Sequence, residues 1–320
     1  MLASSASQQE SLEYRTHKLS PLPDFDPAGP LDPPRIMSLR HFLKYTACGR
    51  ILVIPFRLGS GLRHCARELG IVLRWVLRSK EHYNHTFDLT DLNKIYLANY
   101  IAAISGHPVG TIQGYIRELE GDEELRSFLR QRTLSSPDRH NSDAEPRYGR
   151  RLGWYALVRA TRPKVIVETG VDRGLGTCVV AAALRRNSQE GFPGLVYATD
   201  NNPQCGNLFA GPYREFGKIL LGDSVELLRT FQQPVDIFIH DSDHRPEYEW
   251  AEFVAIEPRL RSNSMVLSDN SHETSKLFEF AQRVGKPFLY FQDEPKDHWW
   301  PGDGIGAAYQ PTQNLSYAGK

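Results

Sequence analysis

The run Val165-Ile166-Val167-Glu168-Thr169-Gly170-Val171-Asp172-Arg173-Gly174-Leu175-Gly176-Thr177 constrains this chain more than any other segment. An apolar stretch of β-branched residues reads as a buried strand. It ends in a carboxylate, and a glycine-spaced turn then opens a helix. Glycine tolerates positive φ and lets a backbone approach a ligand closely. A helix start presents free N–H groups and the positive end of the macrodipole. Placed at the carboxyl end of a parallel strand, such a turn forms a crevice for a nucleotide-like ligand. An acid at the strand end disfavours a pyrophosphate there and favours a ligand that carries an ammonium group.

Around this run the pattern alternates. Helices are expected at Gly153 to Ala160, Gly176 to Arg186, Arg245 to Arg259 and Ser275 to Val284. Strands are expected at Lys164 to Val167, Gly194 to Ala198, Lys218 to Leu221, Val235 to Ile239, Ser264 to Leu267, Pro287 to Phe291 and Ile305 to Tyr309. Strands that alternate with helices imply a parallel sheet covered on both faces. The expected fold is therefore α/β, a Rossmann-like doubly wound sheet of seven strands, from about residue 141 to 320.

The strand ends are polar throughout. Glu168 and Gly170 follow the first strand, Asp200 and Asn201 the second, and Gly222, Asp223 and Ser224 the third. Asp241, Asp243 and His244 follow the fourth, and Asp269 and Asn270 the fifth. In an open α/β sheet these ends share one edge, where ligands bind. Each has an ordinary alternative as a helix cap or turn residue. A carboxylate after the second strand suits a ribose diol, which assigns Asp200. Asp223 is placed to accept from an adenine amino group, with Ser224 capping the next helix. S-adenosylmethionine (SAM) carries adenosine, an amine and a sulfonium, and fits such a crevice. Asp241, Asp269 and Asn270 offer hard oxygen ligands of the kind that suit Mg²⁺ or another divalent cation.

Glu168-x-Gly170-x-x-x-Gly174, Asp200, Gly222-Asp223-Ser224 and His240-Asp241-Ser242-Asp243-His244 resemble the motifs of class I SAM-dependent methyltransferases. The likeness is strongest to the branch of macrocin-type sugar O-methyltransferases and proteins named cephalosporin hydroxylase. Gly153-Trp154-Tyr155-Ala156-Leu157 fits that branch too, and the resemblance covers about residues 148–310. It implies a last strand that runs back antiparallel. It implies SAM held by Glu168, Gly170, Gly174, Thr177, Asp200, Asn201, Asp223 and Ser224. Asp241, Asp269 and Asn270 match the metal ligands of catechol-type O-methyltransferases. Where that group has a basic lysine, three residues after its first metal Asp, this chain has His244. His244 is thus the candidate base, or else a partner that orients Asp241 or Asp269. The implied reaction is methylation of a hydroxyl on a small-molecule or glycan acceptor. Trp299 and Trp300, in the loop before the last strand, are expected to put at least one indole against that acceptor, with His272 nearby.

Three rival readings compete. Thr169-Gly170-x-x-x-Gly174-x-Gly176 matches the dinucleotide motif of short-chain dehydrogenases. Those enzymes also need a Tyr-x-x-x-Lys pair, and no tyrosine after residue 177 has a lysine at that spacing. A non-catalytic SAM-fold interaction module would have no need to keep the acids. An iron-dependent hydroxylase would need two histidines and a carboxylate, and no clear set of that kind stands out, although His244 and His272 lie near the site.

The first 140 residues stand outside the resemblance. Residues 1–35 are polar and proline-rich and read as a flexible arm. Residues 36–140 read as a helical region, with helices from Thr90 or Asp91, from Val109 to Leu119 and from Glu123 to Leu129, then a polar linker over 135–146. Between residues 50 and 80 seven basic side chains meet one interior acid, Glu68. On a helix from Gly61 to Lys80, Arg63, Arg67, Arg74 and Arg78 form one stripe, opposite Leu62, Leu69, Val72, Leu73 and Val76. Such a helix either lies on an anionic membrane surface or packs on its own domain or a subunit partner. A homo-oligomer is expected. Lys plus Arg and Asp plus Glu both number 38, so no global charge draws the chain to nucleic acid, and none is expected as a partner. Cys48, Cys65, Cys178 and Cys205 lack metal-type spacing, and the first ten residues lack an apolar signal core. A reduced, cytoplasmic protein is the expectation, with a membrane-peripheral one as the alternative.

Overall fold

The computed structural model describes residues 38–82 and 86–310. The arm expected over residues 1–35 lies outside the described residues. The described residues form two compact units, divided between Leu62 and Arg63. In the first, Ser38 caps α1 (Leu39–Tyr45) and Thr46 caps α2 (Ala47–Leu52), each accepting from a backbone N–H three residues on. Then α3 (Ile54–Arg78) begins about two turns before the expected Gly61. Pro55 sits in its first turn, where a missing N–H is harmless.

In the second unit Thr90 caps α4 (Asp91–Ser105), and Gly106 ends it in the left-handed region, as a helix C-terminus favours. Next come α5 (Val109–Glu120) and α6 (Glu123–Ser135), the latter capped by the Asp122 carboxylate. The stretch expected to be a polar linker is packed instead. Pro137–His140 is a 3-10 turn, Ser136 and Ser142 are buried, and Ser142 is bonded by Arg173. Then α7 (Arg151–Thr161) leads into the sheet.

The sheet strands are β1 (Val165–Thr169), β2 (Leu195–Asp200), β3 (Gly217–Leu221), β4 (Val235–His240), β5 (Leu260–Ser268), β6 (Phe288–Phe291) and β7 (Ile305–Ala308). Their order is β3-β2-β1-β4-β5-β7-β6. The first five pair in parallel, and β7 is antiparallel to both its neighbours, β5 and β6. This is the seven-stranded, Rossmann-like α/β sheet with an antiparallel last strand. The chain builds outward from β1 to β3, then returns to β4, so the topological switch falls between β1 and β4. The connecting helices are α8 (Leu175–Gln189), α9 (Ser224–Thr230), α10 (Pro246–Ile256) and α11 (Lys276–Arg283).

Two apolar layers enclose the sheet. On one face Ile166, Ile237 and Ile239 meet Trp154 and Leu157 of α7 and Val179 of α8. Leu97 and Ile101 of α4 and Leu119 of α5 belong to the same layer, so the core runs without a break across residue 140. On the other face Val167, Phe238 and Val266 meet Phe253 of α10 and Phe280 of α11. Helices on both faces leave only the sheet edges and the carboxyl ends of the strands for chemistry.

Candidate active site

At the switch point Gly170 has a φ of +84°, and a Cβ there would overlap the Asp241 carbonyl. Only glycine lets β1 turn this tightly past β4. Gly174, at φ +88°, is the residue before α8, and a side chain would press on Gly206. Between them Asp172 is held at φ +47°, a strained setting for a residue with a Cβ. Asp200 holds the turn in place. Its Oδ2 accepts from the N–H groups of Val171 (3.0 Å) and Asp172 (2.9 Å), and its Oδ1 from that of Asn202 (2.8 Å). The carboxylate expected to face a ribose is therefore also the turn's support.

Glu168 lies inside β1 and is buried, with Thr177 of α8 donating to its Oε2 at 2.7 Å. Burial pushes its carboxyl up to about 7, against the opposing effects of the Thr177 hydrogen bond and Arg151. Glu168, Gly170 and Gly176 line a cavity of about 300 Å³. An adjoining cavity of about 440 Å³ is lined by Asp200, Asn201, Asp223 and Ser224 and shares Gly170, Asp172 and Asp241 with the first. The cap after β3 differs from expectation. Asp223, not Ser224, caps α9, its Oδ1 accepting from Glu226 N at 3.0 Å. That hydrogen bond holds its carboxyl below the usual range. Ser224 turns inward and donates to Glu252.

The acids after β4 and β5 converge in the smaller cavity. Asp269 is buried, and burial alone would raise its carboxyl, but Arg150 outweighs this and holds it well below the usual range. Asp241 goes the other way: burial and the neighbouring Asp269 carboxylate raise it well above, despite Arg150 and Arg151. Asn270 is fully buried and donates from Nδ2 to the His244 carbonyl at 3.1 Å. Asp269 Oδ1 and Asn270 Oδ1 are buried acceptors with no hydrogen-bond partner. His244 is half-exposed at the mouth, its Nε2 4.0 Å from Asp269 Oδ1. Ligand atoms of Asp241, His244 and Asp269 lie within 4.8 Å of one another. Two abutting carboxylates, one with an unpartnered oxygen, and an imidazole beside them are what a divalent cation would satisfy, so Asp241, Asp269 and His244 fit one, while Asn270 lines neither cavity.

Sequence reasoning missed the hub of this cavity. Arg150, just before α7, is buried and ion-pairs with Asp269 and, at 2.8 Å, with Asp303. Asp241 stands 3.6 Å and Asp293 4.0 Å from the same guanidinium. Burial would strip its proton, but these four acids raise its pKa strongly. Arg151 lies 3.9 Å from Asp241 and stacks over Trp154. Burial pushes Asp293 up to about 7, only partly offset by Arg150. Four carboxylates thus surround two guanidiniums, and the group has room for further positive charge. The only clue in the sequence was the Arg150-Arg151 pair ahead of Gly153-Trp154.

Beneath the acids runs a second buried network. Glu252 of α10 accepts from Thr169 (2.7 Å), Ser242 (2.7 Å) and Ser224, and pairs with His240 Nδ1 at 2.6 Å. Burial opposes a charge on His240, but the Glu252 hydrogen bond prevails and raises its pKa. This network ties the ends of β1, β3 and β4 to one helix.

The loop from Gln292 to Gly304 overhangs the cavity. Trp300 lines it and donates from Nε1 to Asp303 at 2.8 Å, and His272 lines it as well. Trp299 points elsewhere, packing edge-on against Trp75 of α3 at 5.4 Å.

Residues 167–271 match the family model described as a methyltransferase domain. No curated protein matches the chain. Similar solved structures include TomG of Streptomyces achromogenes, an O-methyltransferase involved in tomaymycin synthesis, in complex with SAM. It has 16% identity and a TM-score of 0.41 over 60% of this chain and 91% of that one. An O-methyltransferase of Bacillus cereus has 14% identity and a TM-score of 0.38, over 67% and 97%. The Podospora anserina methyltransferase PaMTH1 has 15% identity and a TM-score of 0.40, over 59% and 88%. The segment that matches the family model carries the glycine turn, Asp200 and the acids after β4 and β5.

Proposed function

We propose, from the methyltransferase domain at residues 167–271, that this chain transfers a methyl group from SAM to a hydroxyl of a small-molecule or glycan acceptor. The observation that carries the reading is the junction at Gly170. There the cavity walled by Glu168 and the cavity walled by Asp200 meet, beside Asp241 and Asp269. A cofactor with an amine at one end and a ribose at the other spans both.

When bound, SAM supplies a methyl already activated on a sulfonium. Glu168 offers its carboxylate to the ammonium, and the bound charge stabilises the ionised form of an acid that burial otherwise keeps near neutrality. Asp200, already fixed by three backbone N–H groups, offers its remaining lone pairs to the ribose hydroxyls. Asp241 and Asp269 are the residues that would hold a divalent cation, with His244 as a further ligand or as base. Such a cation lowers the pKa of a hydroxyl bound to it. His244, half-exposed at the mouth, takes the acceptor proton, and Trp300 forms the wall against which the acceptor lies. Alignment of the nucleophile with the methyl is the main contribution the protein makes to an in-line displacement.

The test joins binding to turnover. Calorimetry should detect SAM binding that survives EDTA, while methylation is lost with EDTA and returns with Mg²⁺ or Mn²⁺. No SAM binding by the wild type refutes the reading. Full activity in Asp241→Ala or in EDTA refutes the metal part alone. A rise in melting temperature with NAD(H) but not SAM would favour the dehydrogenase alternative.

A further inference from the structure

A further cavity, of about 560 Å³, shares no residue with the two cavities of the SAM crevice. Helix α3 gives its wall Arg74, Trp75 and Arg78, and the loop that carries Trp300 gives it Lys296 and His298. One turn separates Arg74 from Arg78, so both fall on one side of the helix with Trp75 beside them.

Most of the other charges in this wall are taken up. Asp143 accepts from the Ser79 hydroxyl (3.0 Å) and the Lys80 N–H (2.9 Å). Asp143 and Asp88 both stand within 4 Å of Arg147. Lys94 is held by Glu120 at 2.6 Å. Among the described residues Arg74, Arg78 and Lys296 have no acidic partner, and Asp297 is the one acid of the wall left to oppose them.

A second observation is independent of charge. Trp75 Nε1 and His298 Nε2 are buried and have no hydrogen-bond partner. His298 is 9% exposed, and its Nδ1 accepts from the Trp300 N–H at 3.1 Å, so the ring proton sits on Nε2. Burial, and Arg147 after it, lower the pKa of this imidazole and keep it neutral. The wall thus holds two N–H donors that lack an acceptor, alongside three cations that lack an acid. A phosphate ester has three terminal oxygens and close to two negative charges, which suits donors that come from two separate segments. The volume exceeds what a phosphate alone would fill. Phe87 and Trp75, with ring centroids 5.8 and 6.1 Å from that of His298, give the same wall an aromatic part. Aromatic faces pack on sugar or other ring surfaces.

We propose that this cavity binds a phosphate monoester that carries a sugar or similar ring, its phosphate held by Arg74, Arg78 and Lys296. The proposal goes beyond the catalytic reading and does not rest on it, because no residue of the SAM crevice takes part.

The test is calorimetry of the full chain at low salt with glucose 1-phosphate, inorganic phosphate and glucose. Glucose 1-phosphate should bind more tightly than phosphate, and glucose should give no heat of binding. Arg74→Gln/Arg78→Gln and Lys296→Gln should each weaken binding of the ester roughly tenfold to a hundredfold, while the melting temperature of the free protein stays that of the wild type. Wild type that binds neither the ester nor phosphate overturns the proposal. So does unchanged binding by correctly folded variants, or glucose that binds as tightly as its phosphate. Inorganic phosphate that binds as tightly as the ester assigns the cavity to the free anion and overturns the ester.

Discussion

Replacing Arg150 by Met tests how the acid cluster is held together. The guanidinium pairs with Asp269 and Asp303 and stands within 4 Å of Asp241 and Asp293, and its own side chain is 7% exposed. Methionine keeps most of the volume and removes the charge. A buried carboxylate left without its partner costs ~3–5 kcal/mol. The variant can escape by protonating Asp269, at ~1.4 kcal/mol per pH unit above an ordinary value of ~3.9. That route costs ~5.5 kcal/mol at pH 8 and only ~1.5 kcal/mol at pH 5. The loss should therefore be ~3–5 kcal/mol at pH 8 and capped near ~1.5 kcal/mol at pH 5. In the wild type the depressed Asp269 contributes stability at every pH above its ordinary value, and loses it only as pH falls through the depressed one. The wild-type curve should thus change little from this group between pH 5 and 8, and the variant should move toward it on acidification. At ~2–4 °C per kcal/mol, the melting temperature should drop by ~6–20 °C at pH 8 and ~3–6 °C at pH 5. Thermal unfolding in EDTA, at both pH values, measures this. A fall of under ~2 °C at pH 8, or a larger fall at pH 5 than at pH 8, would refute the view that Arg150 neutralises the cluster.

Glu168→Gln should flatten two pH dependences. The folded carboxyl sits near 7, above its unfolded value of 4.5, so wild-type stability from this group is full below 4.5 and is lost as pH rises through about 7. SAM affinity should instead strengthen as pH rises through that range, because the ammonium needs the ionised form; calorimetry at pH 6 and 8 that finds equal wild-type affinity would contradict this. Asp200→Ala should weaken SAM binding roughly tenfold to a hundredfold, since ribose contacts and the support of the glycine turn are both removed. Unchanged affinity would leave Asp200 only its role in the turn. Trp300→Ala should raise the acceptor KM more than it changes SAM affinity, and the opposite pattern would move Trp300 to the cofactor side.

The strands and the glycine turn could be read from the sequence because each is a local pattern. A run such as Val165 to Thr169 has one comfortable environment, and Gly170 accepts the positive φ that other residues resist. The acids at the strand ends could also be read, since strand direction alone puts them on one edge. Arg150, Asp293 and Asp303 could not. They are distant in sequence, and only the fold brings them around one guanidinium. The capping error at Asp223 and Ser224 has the same origin, because both residue types cap helices well. The choice fell to Glu252 on α10, which draws the serine inward. The 135–146 stretch read as a linker from its polarity, yet its polar groups are consumed by Arg173 and Asn207.

The hairpin that carries Trp300 is fastened at more than its two strands. Asn93, in the first turn of α4, donates to the Gln292 carbonyl at 2.9 Å and accepts from the Glu294 N–H at 3.0 Å. Thr90, which caps that helix, gives its own N–H to the Glu294 carbonyl, and Lys296 N–H reaches back to Asp88. Helix and hairpin are thus joined by side-chain and main-chain hydrogen bonds, and Trp300 is carried on a wall anchored to both. A change at Asn93, a residue that lines neither cavity, should therefore loosen the wall that Trp300 forms while Glu168, Asp200 and Asp241 keep their places.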